Sequence, residues 1–180
     1  IDVRDDVRFA SEAVRLRGPE AAAAAHAEVR REVVAPAIRP QALDLIRQHQ
    51  AAGDHVLIVT ATNEFVTRPI AKALGVEELL AVQLARDAQG WYTGEIDGIP
   101  TMRQGKVLRM EQWRADRQLG WGDVVSTFYS DSMNDVPLLE KVDHPVATNP
   151  DPRLRALAQE RGWRILNLFA DDASAATAGA

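Results

Sequence analysis

The segment Val-Val-Ser-Thr-Phe-Tyr-Ser-Asp-Ser-Met-Asn-Asp-Val-Pro-Leu-Leu, residues 124–139, joins an apolar run to a cluster of polar side chains. Its first part, Val124 to Tyr129, is rich in β-branched and aromatic residues and predicts a buried β-strand. Asp131, Asn134 and Asp135 follow, just before a short predicted helix. Two carboxylates four residues apart exceed what a helix cap requires, and hard cations such as Mg²⁺ prefer carboxylate oxygens. The pattern favours a metal site over the alternative, a capping turn.

The same alternation of apolar strands and helices extends over most of the chain. The predicted helices cover residues 41–52, 64–74, 103–119, 136–141 and 152–161, and the predicted strands cover 55–60, 79–84, 124–129, 145–147 and 163–168. Two further short strands are predicted around 90–92 and 94–96. Gly and Asp residues bound them, and this pattern predicts a hairpin. Strands alternating with helices predict a parallel α/β sheet with helices on both faces, in which ligands bind at the carboxyl ends of the strands.

Composition limits the classes of protein that the chain can belong to. With 180 residues, 46% hydrophobic and 26% charged, it is long enough for one globular domain with a small appendage. The absence of Cys excludes disulfides, thiolate zinc sites and a cysteine nucleophile. A net charge of -5 argues against nucleic-acid binding, and no apolar run is long enough to cross a bilayer. We therefore expect a cytoplasmic protein without stable membrane insertion.

Two more strand ends carry polar residues. Thr60 follows the apolar run 56–59 and precedes a predicted helix, where a hydroxyl and free backbone N–H groups can bind phosphate. The alternative is a plain N-cap formed by Thr62 or Asn63. Lys106 lies near the start of another predicted helix, where its charge opposes the helix dipole. Such a lysine either has a functional role that requires this position or is an ordinary solvent-exposed surface residue.

Taken in chain order, these three signals resemble motifs two, three and four of the haloacid dehalogenase (HAD) superfamily. Thr60 matches motif two, Lys106 matches motif three, and Asp131 to Asp135 matches motif four. The resemblance covers about residues 1–168. The hairpin before the lysine and the helical segment before Thr60 are most similar to the phosphoserine-phosphatase-like branch, subfamily IB. The implied fold is a HAD-like Rossmannoid parallel sheet with helices on both faces, plus the remnant of a helical cap of the C1 type.

The resemblance also implies a division of the chain into three parts. Residues 1–36, with two predicted helices, would be the distal part of the helical cap. Residues 37–170 would form the α/β core without its first strand, and residues 171–180 a disordered tail.

For the complete protein, the resemblance implies a Mg²⁺-dependent phosphatase that works through an aspartyl-phosphate intermediate. Thr60 would hydrogen-bond the phosphoryl oxygens together with the backbone N–H of Ala61. Lys106 would stabilise the phosphoryl charge, and Asn134 would contact the phosphate or its surroundings. All of these groups would converge on one bound anion.

The same resemblance assigns the metal to the segment after residue 130. Asp131 would ligate Mg²⁺ directly, and Asp135 would either hold a metal-bound water or orient Lys106. The substrate would be a small phosphorylated metabolite such as phosphoserine or histidinol phosphate, with lipid phosphates as further candidates. Arg68 and Arg103 are candidates for binding a second anionic group of the substrate. The alternative is a non-catalytic HAD-like domain that binds a phosphorylated ligand or a partner chain.

Motif one is the departure from the family pattern. It requires Asp-x-Asp-x-Thr after an apolar strand, and no two aspartates of this chain stand two positions apart. We therefore expect the native protein to extend beyond Ile1 with the nucleophile and the general acid/base. In this family the missing strand lies between those of motifs two and four, so residues 56–60 and 124–129 should each have an open edge. The chain made alone should fold poorly and show little activity.

Overall fold

The computed structural model describes residues 38–169, which divide between Thr101 and Met102 into two compact units. The predicted cap segment, residues 1–36, and the predicted tail, residues 171–180, lie outside the described residues. Each unit contains one three-stranded sheet with helices packed against it.

The first unit is built around a sheet whose strands follow one another in the chain. Its elements are α1 (Pro40–Ala51), β1 (Leu57–Asn63), α2 (Glu64–Ala73), β2 (Glu78–Arg86) and β3 (Tyr92–Asp97). Strand β2 lies in the middle, parallel to β1 and antiparallel to β3. Its residues Leu80, Ala81, Val82 and Leu84 are buried, and α2 packs on β1 and β2. The core of this unit therefore lies between α2 and the central strand.

The predicted hairpin of two short strands at 90–92 and 94–96 is wrong. The carboxylate of Asp87 accepts hydrogen bonds from the backbone N–H groups of Gln89 (3.0 Å) and Trp91 (2.9 Å), so the chain reverses before Trp91. One continuous strand, β3, then pairs with β2. Gly94, which we expected to begin the second short strand, lies inside β3 with φ of 89°. A glycine inside a strand accommodates this backbone conformation without breaking the strand.

The second unit continues the alternation of strand and helix. Its elements are α3 (Gln104–Ala115), β4 (Thr127–Ser130), a 3₁₀ turn (Met133–Asp135), α4 (Val136–Leu139), β5 (His144–Thr148), α5 (Pro152–Arg161) and β6 (Arg164–Leu166). All three strands are parallel, in the order β4-β5-β6. Leu139, Ala147, Leu154 and Ala158 form a fully buried cluster that joins α4, β5 and α5. The predicted α/β class with parallel strands is confirmed, and β3 is the antiparallel exception.

Two predicted elements are shorter than their sequence pattern suggests. Strand β4 begins at Thr127, because Val124 and Val125 are 39% and 78% exposed and lie before the first paired residue. Helix α3 ends at Ala115 and not at residue 119. There Gln118 adopts a left-handed conformation with φ of 59°, and the N–H of Leu119 donates to the carbonyl of Arg114 at 2.9 Å. This backbone turn ends the helix without a glycine.

Strands β1 and β4 are each the outer strand of their own sheet. Among residues 38–169, no strand pairs with the second edge of either one. No helix in the same range combines the length and the apolarity that crossing a bilayer requires.

Candidate active site

Lys106 and Asp135 form a buried ion pair within the second unit. Lys106 lies in the first turn of α3, and Asp135 ends the 3₁₀ turn that follows β4. The Lys106 ammonium lies 2.7 Å from each oxygen of the Asp135 carboxylate, and the two side chains are only 8% and 10% exposed. The helix dipole disfavours a cation in the first turn, so the carboxylate compensates for both burial and dipole. The ammonium also lies 5.9 Å from the centre of the Phe128 ring, within cation–π range.

Two serines beside this pair were missed by the sequence analysis. Ser130, the last residue of β4, is 8% exposed and donates its hydroxyl proton to Asp135 Oδ2 at 2.7 Å. Ser132 caps the 3₁₀ turn, because its hydroxyl oxygen accepts from the N–H of Asn134 at 3.2 Å. A serine at the carboxyl end of a buried strand needs a hydrogen-bond partner, but the sequence alone does not show which polar group supplies it.

Asp131, between the two serines, has the opposite environment. Its side chain is exposed at the carboxyl end of β4, and within residues 38–169 its carboxylate makes no hydrogen bond or ion pair. The Asp135 carboxylate is buried and binds Lys106 and Ser130, whereas the Asp131 carboxylate is exposed to solvent. The two carboxylates of the predicted metal motif therefore differ in what they are free to bind.

Asn134 is exposed, and Arg103 fixes the orientation of its side chain. The Nε–H of Arg103 donates to Asn134 Oδ1 at 3.3 Å, so the amide NH₂ group is left to donate elsewhere. Arg103 precedes α3 and has φ of 48°, a conformation that is uncommon for a residue with a side chain. Backbone strain of this kind concentrates at functional sites. Two separate side-chain contacts, Arg103–Asn134 and Lys106–Asp135, thus join the start of α3 to the 3₁₀ turn.

Thr60 and Ala61 lie in the first unit, where pairing between β1 and β2 is interrupted between Val59 and Asn63. We predicted that this strand ends at Thr60. In the structure β1 continues to Asn63, so that prediction is wrong. The Thr60 hydroxyl oxygen accepts a hydrogen bond from the N–H of Thr62 at 3.2 Å. The N-cap of α2 is Asn63, whose side chain accepts from the N–H of Val66 at 3.1 Å. Because Asn63 caps the helix, the Thr60 hydroxyl is not needed for that purpose.

Asp131 and Asp135 are the carboxylates that the sequence predicted as Mg²⁺ ligands. Residues 38–169 contain no cluster of three or more His, Asp or Glu side chains able to hold a metal. Mg²⁺, however, commonly binds through one or two carboxylates, several waters and a substrate phosphate. The open carboxylate of Asp131 fits this mode of binding. Asp135 fits less directly, since its oxygens already accept from Lys106 and Ser130.

Comparison with known proteins places this geometry in a family. The family model described as haloacid dehalogenase-like hydrolase matches residues 2–140. A histidinol-phosphatase of Neisseria meningitidis serogroup C is 40% identical over 147 residues, which cover 79% of this chain and 64% of that protein. A phosphoserine phosphatase of Mycobacterium tuberculosis is 37% identical over 138 residues, which cover 77% of this chain and 44% of that protein. The chain spans less than two thirds of either relative.

A solved structure agrees over nearly the whole chain. The crystal structure of a protein of unknown function from Bordetella pertussis Tohama I shares 47% sequence identity, with a TM-score of 0.90. The match covers 94% of this chain and 76% of that one. The chain therefore belongs to the haloacid dehalogenase-like hydrolase family.

Proposed function

We propose that the intact protein hydrolyses small phosphomonoesters with the help of Mg²⁺. The observation that carries this proposal is the contrast between two neighbouring carboxylates. Asp135 is buried against the Lys106 ammonium, whereas Asp131, at the end of β4, is exposed and open. A fixed cation and an open metal ligand within a few residues are what stabilisation of a transferring phosphoryl group requires.

In this proposal each residue of the second unit has a distinct role. Lys106 stabilises the negative charge that develops on the phosphoryl oxygens. Asp135 orients Lys106, a role supported by the contact of 2.7 Å between them. Asn134 donates its amide N–H to the substrate phosphate, since Arg103 occupies its carbonyl oxygen.

Thr60 and Ala61 of the first unit are proposed to bind phosphoryl oxygens through a hydroxyl and a backbone N–H. This role is supported by the capping of α2 by Asn63, which leaves the Thr60 hydroxyl available. Asp131 is proposed to ligate Mg²⁺, with Asp135 as the second candidate for holding the ion through a water. The ion, when bound, would neutralise charge on the phosphoryl group.

The covalent step is proposed to follow the family pattern, in which an aspartate attacks phosphorus and water then hydrolyses the aspartyl-phosphate. The sequence of this chain has no Asp-x-Asp pair to supply that nucleophile. The same observation supports a second candidate function, a non-catalytic domain that binds a phosphorylated ligand or a partner chain.

Histidinol phosphate and phosphoserine are the substrates that we propose first. The reason is similarity to proteins named histidinol-phosphatase and phosphoserine phosphatase, at 40% and 37% identity. Both compounds are small phosphorylated metabolites with a primary alcohol as the leaving group. Lipid phosphates are the next class to test.

The experiment is a measurement of phosphate release by the intact protein from these phosphomonoesters, with Mg²⁺ and with a chelator. We expect activity only with the ion. Asp131→Asn should reduce it by about two orders of magnitude, because a bound metal supplies several kcal/mol of charge stabilisation. Asp116→Asn is the matched control, since Asp116 is another exposed aspartate of the second unit. If wild-type protein binds inorganic phosphate but hydrolyses no substrate, the non-catalytic function is supported instead.

A further inference from the structure

We propose that Ser130 is a positioning residue that holds Lys106 in place through Asp135. The inference rests on the function proposed above for Lys106 but assigns a role to a residue outside the predicted site. Ser130 itself need not touch the substrate. Its effect would be transmitted by two successive hydrogen bonds, from the serine hydroxyl to the carboxylate and from the ammonium to the same carboxylate.

The direction of the first hydrogen bond is fixed by the backbone. The N–H of Ser132 donates to Ser130 Oγ at 3.1 Å, and Ser130 Oγ lies 2.7 Å from Asp135 Oδ2. A serine hydroxyl has a single proton to donate. Because the N–H of Ser132 can only donate, the hydroxyl acts as acceptor toward it and gives its own proton to the carboxylate. Ser130 is thereby bound on both sides in one rotamer.

The second hydrogen bond depends on the first. Asp135 receives the Ser130 proton on Oδ2, and the Lys106 ammonium lies 2.7 Å from both carboxylate oxygens. A carboxylate can rotate about its last bond, and a lysine has four flexible methylene groups. The serine restrains this rotation, so the carboxylate presents a fixed pair of oxygens to the lysine.

Burial makes the serine difficult to replace. Counted as whole residues, backbone included, Ser130, Asp135 and Lys106 are 8%, 7% and 6% exposed, so bulk water could not easily replace a missing Ser130 hydroxyl. In such surroundings a hydrogen bond is stronger than in water, and successive hydrogen bonds reinforce one another. Loss of the Ser130 hydroxyl should therefore loosen Lys106 through the carboxylate of Asp135 that both side chains bind.

Two measurements on the intact protein test this inference. The first is kinetic: Ser130→Ala should lower kcat by about tenfold, the usual effect of losing one hydrogen bond to a charged group, and leave KM nearly unchanged. Ser130→Thr keeps the hydroxyl and should restore most of the activity. A residue needed only for folding would not give this separation of kcat from KM.

The second measurement does not require catalysis. The rate at which an acetylating reagent modifies Lys106, followed by peptide mass spectrometry, should rise several-fold in Ser130→Ala. Lys141, whose side chain is 47% exposed, serves as the internal reference in the same sample. Ser132→Ala is the matched control: it removes the hydroxyl that caps the 3₁₀ turn but keeps the N–H that binds Ser130, so labelling of Lys106 should not change.

The outcomes are distinct. If labelling of Lys106 is the same in Ser130→Ala and wild type, the inference is overturned, whatever the activity. If the protein hydrolyses no phosphomonoester, the proposed function fails, and the labelling result still decides the role of Ser130. Should Ser130→Ala not fold, Ser130→Cys replaces the hydroxyl with a somewhat larger thiol that is a weaker hydrogen-bond donor. In Ser130→Cys, Lys106 should be acetylated faster than in wild type, and acetylation at the wild-type rate would overturn the inference.

Discussion

At the scale of single residues, Lys106 and Asp135 stabilise each other's charge because both side chains are buried and almost out of contact with water. Their side chains are 8% and 10% exposed, and each neutralises a charge that would be costly to bury alone. An exposed pair in the same unit, Lys141 with Glu111 at 4.0 Å, lacks this dependence, since water screens both charges. The two pairs therefore permit a direct comparison within one protein.

We predict that Asp135→Ala destabilises the intact protein by about 3 kcal/mol, because it leaves a buried ammonium without a partner. The double variant Lys106→Met/Asp135→Leu should lose less unfolding free energy than the summed losses of the single variants Lys106→Met and Asp135→Leu. Urea unfolding measures both quantities. Lys141→Met is the control and should cost less than about 1 kcal/mol. Equal effects of Asp135→Ala and Lys141→Met would contradict the argument.

Which residues meet in the site was only partly predictable from the sequence. The family resemblance already paired Asp135 with Lys106 as one of two possibilities, although the residues lie 29 positions apart. Ser130 was not predicted, because a serine at the end of a strand has many possible partners and only the folded chain selects one. The openness of Asp131 was likewise hidden, since exposure depends on what packs around the end of β4.

At the scale of secondary structure, local signals were reliable and non-local pairing was not. Helix α5 was predicted at its observed bounds, since Asp151 caps it, a proline follows and Gly162 ends it in the left-handed conformation. Strand β3 was misassigned, because its partner is β2 and the turn between them depends on one side chain, Asp87. Caps act within four residues, whereas strand partners are chosen by tertiary structure.

The cap of α2 gives a test at this scale. Asn63 is 6% exposed, and its side chain accepts the N–H of Val66, so Asn63→Ala should cost about 1 kcal/mol of unfolding free energy. Asn63→Asp should retain most of the stability. Thr62→Ala is the control, because the Thr62 side chain is exposed and does not cap the helix. A larger loss for Thr62→Ala in thermal or urea unfolding would move the cap to Thr62.

The connection between β4 and β5 predicts a dependence on pH. Asp143 accepts hydrogen bonds from the backbone N–H and from the hydroxyl of Ser126, both at 2.8 Å. These bonds, that of the backbone first, lower the pKa of the Asp143 carboxyl below its ordinary value. A carboxyl with a lower pKa in the folded state stabilises the fold above its unfolded pKa and loses that effect as the pH falls.

Asp143→Asn should therefore lower the melting temperature at pH 7, and its difference from wild type should shrink at pH values below the ordinary carboxyl range. Melting curves at pH 7 and in acid measure the difference. Glu160→Gln, an exposed carboxylate of α5, should show no such trend. A difference that grows toward acid would mean that Asp143 stabilises the fold in another way.

At the scale of the whole molecule, one prediction follows from two observations. Within residues 38–169 no strand pairs with the outer edge of β1 or β4, and the sequence contains no Asp-x-Asp pair. The 180-residue chain, produced alone, should release little phosphate from phosphoserine or histidinol phosphate and should tend to associate through its exposed strand edges. Adding an N-terminal segment with an apolar strand and Asp-x-Asp should restore both activity and a monodisperse protein. Size-exclusion chromatography and phosphate release measure the two effects. Ordinary enzyme rates from the 180-residue chain would refute the proposed need for that segment.

The separation of 29 positions between Lys106 and Asp135 also has a consequence for the folding pathway. Contacts between residues far apart in sequence incur the entropy of closing the intervening loop, so they form late. The ammonium can reach its final place only after α3 and β4 have come together. A folding intermediate in which α3 and β4 have not yet packed together should therefore lack this ion pair, and its Lys106 ammonium should still be in contact with water.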